Sequence, residues 1–144
     1  MIIPDINVLV YATVTGFPLH PTAKSWWEAA LNDPTPVGLA PPVVFGFLRI
    51  VTNPRVLDEP MSIRGAATHV REWMAVPAVE LLTPGEAHVE VALALLEQVG
   101  TAANLTTDAQ LAAFARQYDA VVHSNDSDFG KFADVRWVNP FTDR

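Results

Sequence analysis

Two patterns of apolar residues alternate along the chain. Short apolar runs typical of buried strands occupy residues 1–3, 37–40, 79–82, 120–123 and 135–138. Between these runs, apolar residues recur every three or four positions, which predicts helices at 7–13, 21–31, 41–53, 62–74, 84–99 and 107–118. Because strands that alternate with helices form parallel sheets, we expect an α/β fold with helices on both faces of the sheet. The length of 144 residues predicts a single domain over residues 1–144.

Several helix ends carry recognisable signals. Ser62 is expected to cap a helix that turns one apolar face inward, formed by Ile63, Ala66, Ala67, Val70 and Trp73. The segment from Thr83 to Glu86 has the form of a capping box with proline at the first helical position. Gly100 is expected to end the helix that follows.

The composition excludes several classes of protein. Half of the residues are hydrophobic and 17% are charged, which excludes a disordered chain. The absence of cysteine excludes disulfides, thiolate zinc sites and cysteine nucleophiles. No uncharged apolar run reaches the roughly 18 residues of a membrane span, and Asp5 stands where a secretion signal has apolar residues. We therefore expect a cytoplasmic protein with no membrane partner.

The net charge limits how the chain can bind nucleic acid. Sixteen acidic residues against nine basic ones give a charge of −7. Binding to nucleic acid through general electrostatics depends on lysine and arginine, so it is not expected here. An anionic substrate therefore requires local arginines or a bound cation.

Acidic residues recur where predicted strands end and helices begin. Asp5 follows the first strand, Asp108 begins a helix, and Asp126 and Asp128 follow the strand at 120–123. The carboxyl ends of parallel strands meet at one edge of a sheet, so these acids are expected to converge. Clustered carboxylates repel one another unless a cation joins them, and Mg²⁺ or Mn²⁺ prefers oxygen ligands. Since such an ion can activate a water and neutralise a phosphodiester, the pattern favours metal-dependent hydrolysis of a phosphate ester.

Each of these acids also has a purely structural interpretation. Asp5 is a good helix cap, and Asp108 suits the first turn of a helix through its charge. Asp126 and Asp128 are typical of Asx turns. A phosphatase or receiver-type aspartate site on a similar sheet is a further alternative, although Asp5-Ile6-Asn7 lacks the second acid of an Asp-x-Asp motif. Their joint position at strand ends is what favours the metal site.

The acidic segments resemble the signature motifs of PIN domains, and more narrowly those of VapC-type ribonuclease toxins. The three motifs are Asp5-Ile6-Asn7-Val8-Leu9, Thr107-Asp108-Ala109-Gln110-Leu111 and Ser124-Asn125-Asp126-Ser127-Asp128-Phe129. Residues 47–56, 100–108 and 135–141 are similar to one branch of that family. The resemblance implies a parallel α/β/α sandwich, Mg²⁺-dependent endoribonuclease activity, inhibition by a small antitoxin protein, and a homodimer.

The same resemblance implies roles for individual residues. Asp5 and Asp108 match primary metal ligands, and Asp126 matches a third acid that binds the ion directly or through water. Asp128 belongs to the same cluster or supports it. The family's residues that orient the ligands correspond here to Asn7, Thr107 and Asn125.

One family feature is missing. PIN domains usually carry a glutamate on the helix after the second strand, and Gly46 stands at that position. No acid occurs between Asp33 and Asp58, which weakens the case for two metals. An alternative is therefore a catalytically weak binding module that acts through RNA or a protein partner.

The remaining candidates are weaker. Arg49 and Arg55 are candidates for RNA phosphates, because guanidinium groups suit that geometry, or for carboxylates of their own chain. His123 ends a buried strand and is expected to be a core residue or to support the site. The tryptophans are expected to pack in the core rather than to stack on bases.

Overall fold

The computed structural model describes residues 1–142 and contains a sheet with helices on its faces. The strands are β1 (Ile2–Pro4), β2 (Val37–Leu39), β3 (Val79–Leu81), β4 (Val121–His123) and β5 (Trp137–Val138). The helices are α1 (Ile6–Thr13), α2 (His20–Asn32), α3 (Pro41–Val51), α4 (Ile63–Met74), α5 (His88–Val99) and α6 (Thr106–Tyr118). Two 3₁₀ turns lie at Ala103–Leu105 and Ser127–Lys131.

The sheet is entirely parallel, with the strand order β3-β2-β1-β4-β5. Ile2 pairs with Val37 on one side and with Val121 on the other, so β1 lies at the centre. Pro4 pairs with His123, and β1 and β4 therefore end side by side. The chain builds outward from β1 to β3 and then resumes on the opposite side at β4. Ligands of open α/β sheets bind where the strand order reverses in this way. The predicted three-layer α/β fold is confirmed.

The core fills the space between the sheet and its helices. The inner strands are fully buried at Ile3, Leu39 and Val122, which suits strands covered on both faces. Phe47 of α3 and Phe114 of α6 are also buried and supply large apolar surface on the helix side. Burial of this kind holds the ends of β1 and β4 in a rigid frame.

Two details of the predicted helices are wrong. Ile63 is 63% exposed, whereas Ala66, Val70 and Trp73 face inward as expected. Ala66 is the first buried residue of α4, and the three residues before it are exposed.

The predicted capping box at Thr83–Glu86 does not form, because α5 begins at His88. The Gly85 N–H donates to Gln117 Oε1 at 2.9 Å, and Gln117 Nε2 donates to the Thr83 carbonyl at 3.0 Å. These bonds tie the segment to the end of α6 in place of a helical turn. Gly100 ends α5 with a φ of +92°, as predicted, in a conformation that favours glycine.

Among residues 1–142, no helix has the length and apolar character needed to cross a membrane.

Candidate active site

Asp5 is held at the junction between β1 and α1. Its Oδ1 accepts a hydrogen bond from the Ile6 N–H at 2.7 Å, so the carboxylate caps α1. Its Oδ2 accepts from the Ser124 hydroxyl at 2.7 Å and from Asn7 Nδ2 at 3.2 Å. The residue is only 5% exposed. The helix-cap interpretation of Asp5 is therefore correct, and it is compatible with a place in the site.

Ser124 connects the two central strands at their carboxyl ends. It is fully buried, and its hydroxyl donates to Asp5 while accepting from the Asp126 N–H at 2.9 Å and from Asn7 Nδ2 at 3.2 Å. One donor and two acceptor positions are all that a serine hydroxyl offers. Ser124 was not among the predicted site residues. The signal that could have found it is a small hydroxyl residue directly after a buried strand in an acidic segment.

Asn7 and Asn125 fix the geometry around this serine. The Asn125 N–H donates to Asn7 Oδ1 at 3.1 Å, and Asn139 Nδ2 donates to Asn125 Oδ1 at 3.0 Å. Both residues therefore belong to the hydrogen-bond network around Ser124. They tie the segment after β4 to α1 and to the end of β5.

Asp126 and Asp128 share the turn after β4. Asp126 caps the second 3₁₀ turn, and its Oδ1 accepts from the Asp128 N–H at 2.9 Å. Lys131, one turn later, forms an ion pair with Asp128 Oδ1 at 2.8 Å. The sequence analysis did not predict a role for Lys131. The available signal was its position three residues after Asp128 in a helical turn.

Asp108 reaches the same place from α6. It lies in the first turn of that helix, directly after the turn at Ala103–Leu105, and is 8% exposed. Carboxylate oxygens of Asp108, Asp126 and Asp128 all lie within 4.8 Å of one another. Asp5 is not part of this group of three, although it lines one cavity together with Asp108 and Asp126.

The electrostatics show how strongly the acids interact. Burial, together with the nearby charges of Asp5, Asp126 and Asp128, raises the pKa of Asp108 to about 7, and Lys131 partly opposes this shift. Burial also raises the pKa of Asp5, against the hydrogen bonds from Ser124 and Ile6. A cation placed among these groups reverses the cost of ionising them. The all-oxygen donor set fits a hard divalent ion rather than a soft one.

The cavity at the acids has a volume of about 370 Å³ and extends beyond them. Thr107 and Arg49 both line it, so two further predicted residues lie at the site. Arg55 is exposed in the turn after α3 and is not part of the cavity lining.

Gly46 is packed against the residue that follows Asp5. A Cβ at this position would overlap Ile6 Cδ1 and lie 2.9 Å from Ile6 Cγ1. The Ile6 side chain therefore occupies the space that a longer residue at position 46 needs.

His123 is a partly buried residue that packs against the core. Its ring stacks on Trp26 with centroids 5.5 Å apart, and its buried Nδ1 makes no hydrogen bond within the described residues. Burial lowers the pKa of His123 to about 4, so the ring is neutral at pH 7. Trp27 and Trp73 are likewise buried in the core.

Comparison with known proteins agrees with this geometry. The PIN domain family model matches residues 2–135. The chain is 53% identical to the ribonuclease VapC33 of Mycobacterium tuberculosis, over 97% of this chain and 98% of the relative. It is 39% identical to VapC37 of the same organism, over 97% of both chains.

Solved structures share the fold. The sarcin-ricin loop cleaving toxin VapC20 of M. tuberculosis matches with a TM-score of 0.70 and 20% identity, over 94% of this chain and 99% of that one. FitAcB from Neisseria gonorrhoeae matches with a TM-score of 0.71 and 20% identity, over 99% of both chains. The chain belongs to the PIN domain family, and within it to the VapC-type ribonuclease toxins, which confirms the resemblance seen in its motifs.

Proposed function

We propose that this protein is a Mg²⁺-dependent endoribonuclease, the toxin of a toxin–antitoxin pair that acts in the cytoplasm. The observation that carries the proposal is the cluster of Asp108, Asp126 and Asp128, whose carboxylate oxygens lie within 4.8 Å of one another. Two of these acids, Asp108 and Asp126, line the same cavity as Asp5. Asp5, Asp108 and Asp126 hold the ion, with Asp128 as a further ligand or support. Mn²⁺ has the same preference for oxygen and is expected to substitute.

The chain's own residues prepare the site for a phosphodiester. The ion, when bound, acidifies a water and neutralises negative charge on the phosphate. Asn7 and Ser124 fix the Asp5 carboxylate through hydrogen bonds, and Thr107 lies beside Asp108 in the cavity wall. Arg49 provides a guanidinium for the RNA phosphate from α3, and Arg55, exposed in the turn after α3 and outside the cavity lining, is proposed to contact the RNA away from the acids. Attack by water on phosphorus yields 5′-phosphate and 3′-hydroxyl ends.

The test is RNA cleavage by an Asp108→Asn protein. Structured RNA is incubated in Mg²⁺ with the wild type, with this variant, and with Asp134→Asn as a matched control. Asp134 is exposed, with a side chain that is 93% accessible, and it does not belong to the cavity lining at the acids. We expect cleavage by the wild type and the control, and its loss in Asp108→Asn and in EDTA. Equal cleavage by all three proteins contradicts the assigned role of Asp108.

The partner is proposed to be a small antitoxin protein. One of the solved structures with this fold is that of VapBC2 from Rickettsia felis bound to a promoter DNA fragment, and another is a toxin–antitoxin complex from Klebsiella pneumoniae. An arginine or lysine of the antitoxin placed among the acids would neutralise the negative charge of Asp108 and Asp126 in place of the metal ion. A complex in which the antitoxin leaves the acids open contradicts this form of inhibition. The toxin itself is proposed to be a homodimer.

A second candidate function is a catalytically weak binding module. The observation that favours it is Gly46, where Ile6 fills the space of a carboxylate that PIN domains usually carry. This alternative predicts RNA binding that is insensitive to Mg²⁺ and no cleavage by the wild-type protein.

A further inference from the structure

The cavity at the acids has a second, apolar part. Beyond Asp5, Asp108 and Asp126 it is lined by Val10, Tyr11, Phe17 and Ile50. The rings of Tyr11 and Phe17 meet edge to face, with centroids 5.1 Å apart and planes at 71°. Tyr11 is also 6.3 Å from the Phe141 ring. These contacts hold two aromatic side chains in fixed orientations beside the acids.

Two polar side chains border this apolar part. Arg49 and Asn104 both line the cavity, and both residues are exposed. Within residues 1–142, the Arg49 guanidinium and the Asn104 amide take part in no hydrogen bond or ion pair of the chain. Their hydrogen-bonding groups are therefore available to a ligand in the cavity.

The backbone that presents Asn104 is strained. Ala103, the residue before it, has a φ of +39°, in a region that residues with a Cβ seldom adopt. Strain of this kind persists where the surrounding structure imposes it and is frequent at ligand sites. It fixes Asn104 at the edge of the cavity.

Charge determines which part of an RNA fits here. Beyond Phe17 the surface forms a neighbouring cavity lined by Asp58 and Glu59, which repels phosphates. The whole chain carries −7, so general attraction of the RNA backbone is weak. Affinity must then come from contacts without charge, and an aromatic cavity provides them through base stacking.

We propose that the apolar part of the cavity binds one unstacked nucleobase, next to the phosphodiester that is cut. Phe17 and Tyr11 pack against the base, and Asn104 distinguishes its edge, since an amide offers both a donor and an acceptor. Arg49 binds the adjoining phosphate. This inference rests on the proposed ribonuclease function, because it names the part of the substrate that the same site selects.

The test separates binding from cleavage. Asp108→Asn protein, which is expected not to cut RNA, is titrated with UpU, CpC, ApA and GpG. The ring signals of Phe17 and the side-chain amide signal of Asn104 are followed by NMR. We expect these signals to shift, with one dinucleotide preferred, and a further Phe17→Ala substitution to weaken binding about tenfold. Asn104→Ala is expected to reduce the preference between dinucleotides.

Two matched substitutions serve as controls. Phe45→Ala removes an aromatic ring that is 69% exposed on α3, and Asn32→Ala removes an exposed amide that bonds to Glu28 on α2. Both should bind dinucleotides like their parent. In cleavage assays of proteins with intact Asp108, Phe17→Ala should raise KM about tenfold, and sequencing of the cut ends should show a changed neighbouring base for Asn104→Ala.

The outcomes distinguish the two proposals. Absence of shifts with all four dinucleotides overturns the base site even if RNA is cleaved. Unchanged dinucleotide affinity in Phe17→Ala, followed at the Asn104 amide signal, overturns it as well. Shifts caused only by an antitoxin peptide also overturn it, because the cavity then serves the protein partner. Base binding as expected, in a wild-type protein that fails to cleave RNA, leaves the base site standing and overturns the ribonuclease function.

Discussion

One hydroxyl group accounts for much of the order among the acids. Ser124 is bonded to Asp5, to Asn7 and to the backbone of Asp126, so the ends of β1 and β4 are joined through a single side chain. In Ser124→Ala, the partly buried Asp126 N–H and the buried Asp5 carboxylate each lose a partner. We expect a loss of about 1–3 kcal/mol in the free energy of unfolding, measured by urea denaturation.

The control for this prediction is Ser25→Ala, at an exposed position of α2. Since its hydroxyl is not buried, its unfolding curve should match the wild type. A Ser124→Ala protein as stable as the control contradicts the assigned role of Ser124.

The raised pKa of Asp108 predicts how stability depends on pH. The pKa is about 7 in the folded protein, against 3.8 as the ordinary value. Between these values the folded state binds more protons than the unfolded state, so the contribution of Asp108 to stability falls as pH rises through 7. Asp108→Asn removes this pH dependence. In EDTA, the difference in melting temperature between the variant and the wild type should therefore shift in favour of the variant as pH rises.

The comparison protein for the pH series is Asp134→Asn, which should follow the wild type. Binding of Mg²⁺ should raise the wild-type melting temperature most at high pH, because Asp108 is then already ionised. Parallel curves for Asp108→Asn and the wild type in EDTA contradict the raised pKa.

At the residue scale, the sequence predicted the acids but not what joins them. Asp5, Asp108 and Asp126 stand out because each lies at a strand or helix end, and the structure places all three at one cavity. The spacing of Lys131 from Asp128 was a local signal, whereas the role of Ser124 depends on a contact that forms only after folding. The bond from Ser124 to Asp5 spans 119 positions, and no local pattern identifies Asp5 as its partner.

At the scale of elements, α1 and α3 approach each other closely beside the site, where Gly46 meets Ile6. Gly46 admits Ile6 only because it lacks a side chain. Gly46→Ala is expected to destabilise the protein by about 1–3 kcal/mol, because the added methyl group overlaps Ile6. Thermal or urea unfolding measures this cost.

A double-mutant cycle with Ile6→Ala isolates the contact. The cost of Gly46→Ala should shrink in the Ile6→Ala background, since the overlapping atoms are gone. Gly16→Ala is the matched control, as a Cβ at Gly16 meets nothing within 4 Å. A cost that is the same in both backgrounds shows that Ile6 is not the cause.

Periodicity predicted the helices well but not all of their ends. The inward faces of α4 and α6 follow directly from apolar spacing, and Gly100 marks the end of α5. The segment at Thr83–Glu86 has good capping chemistry, but Gln117 of α6 binds its backbone instead. The tertiary contact between Gly85 and Gln117, which lie 32 positions apart in the chain, therefore prevents the helix start that the local sequence favours.

At the scale of the whole molecule, the parallel sheet could be predicted and the strand order could not. Alternation of strands and helices indicates parallel pairing, whereas the neighbours of β1 are determined by packing among all the helices. Placement of the acids at one edge needed only the parallel direction, which is why this prediction succeeded. Which of the acids come within 4.8 Å required the actual register.

The lowered pKa of His123 predicts how the stability of the fold changes in acid. Burial lowers its pKa from 6.5 to about 4, so the unfolded state binds more protons between these values. The contribution of His123 to stability is therefore lost as pH falls from 6.5 toward 4. His123→Phe keeps an aromatic ring beside Trp26 and should reduce this loss, measured as melting temperature against pH.

His69→Phe is the control, at a partly exposed position of α4. It should retain the acid sensitivity of the wild type. If His123→Phe loses stability in acid as steeply as this control does, the buried ring is not the source.

The central position of β1 also bears on how the protein is made. Asp5 is synthesised well before Ser124, which lies 119 positions later in the chain, and before the strand β4 that pairs with β1. A nascent chain therefore lacks Asp126 and Asp128 of the acidic cluster until β4 has been made. The cluster can assemble only once the ribosome has passed this strand, so a partial chain that stops before β4 cannot form it.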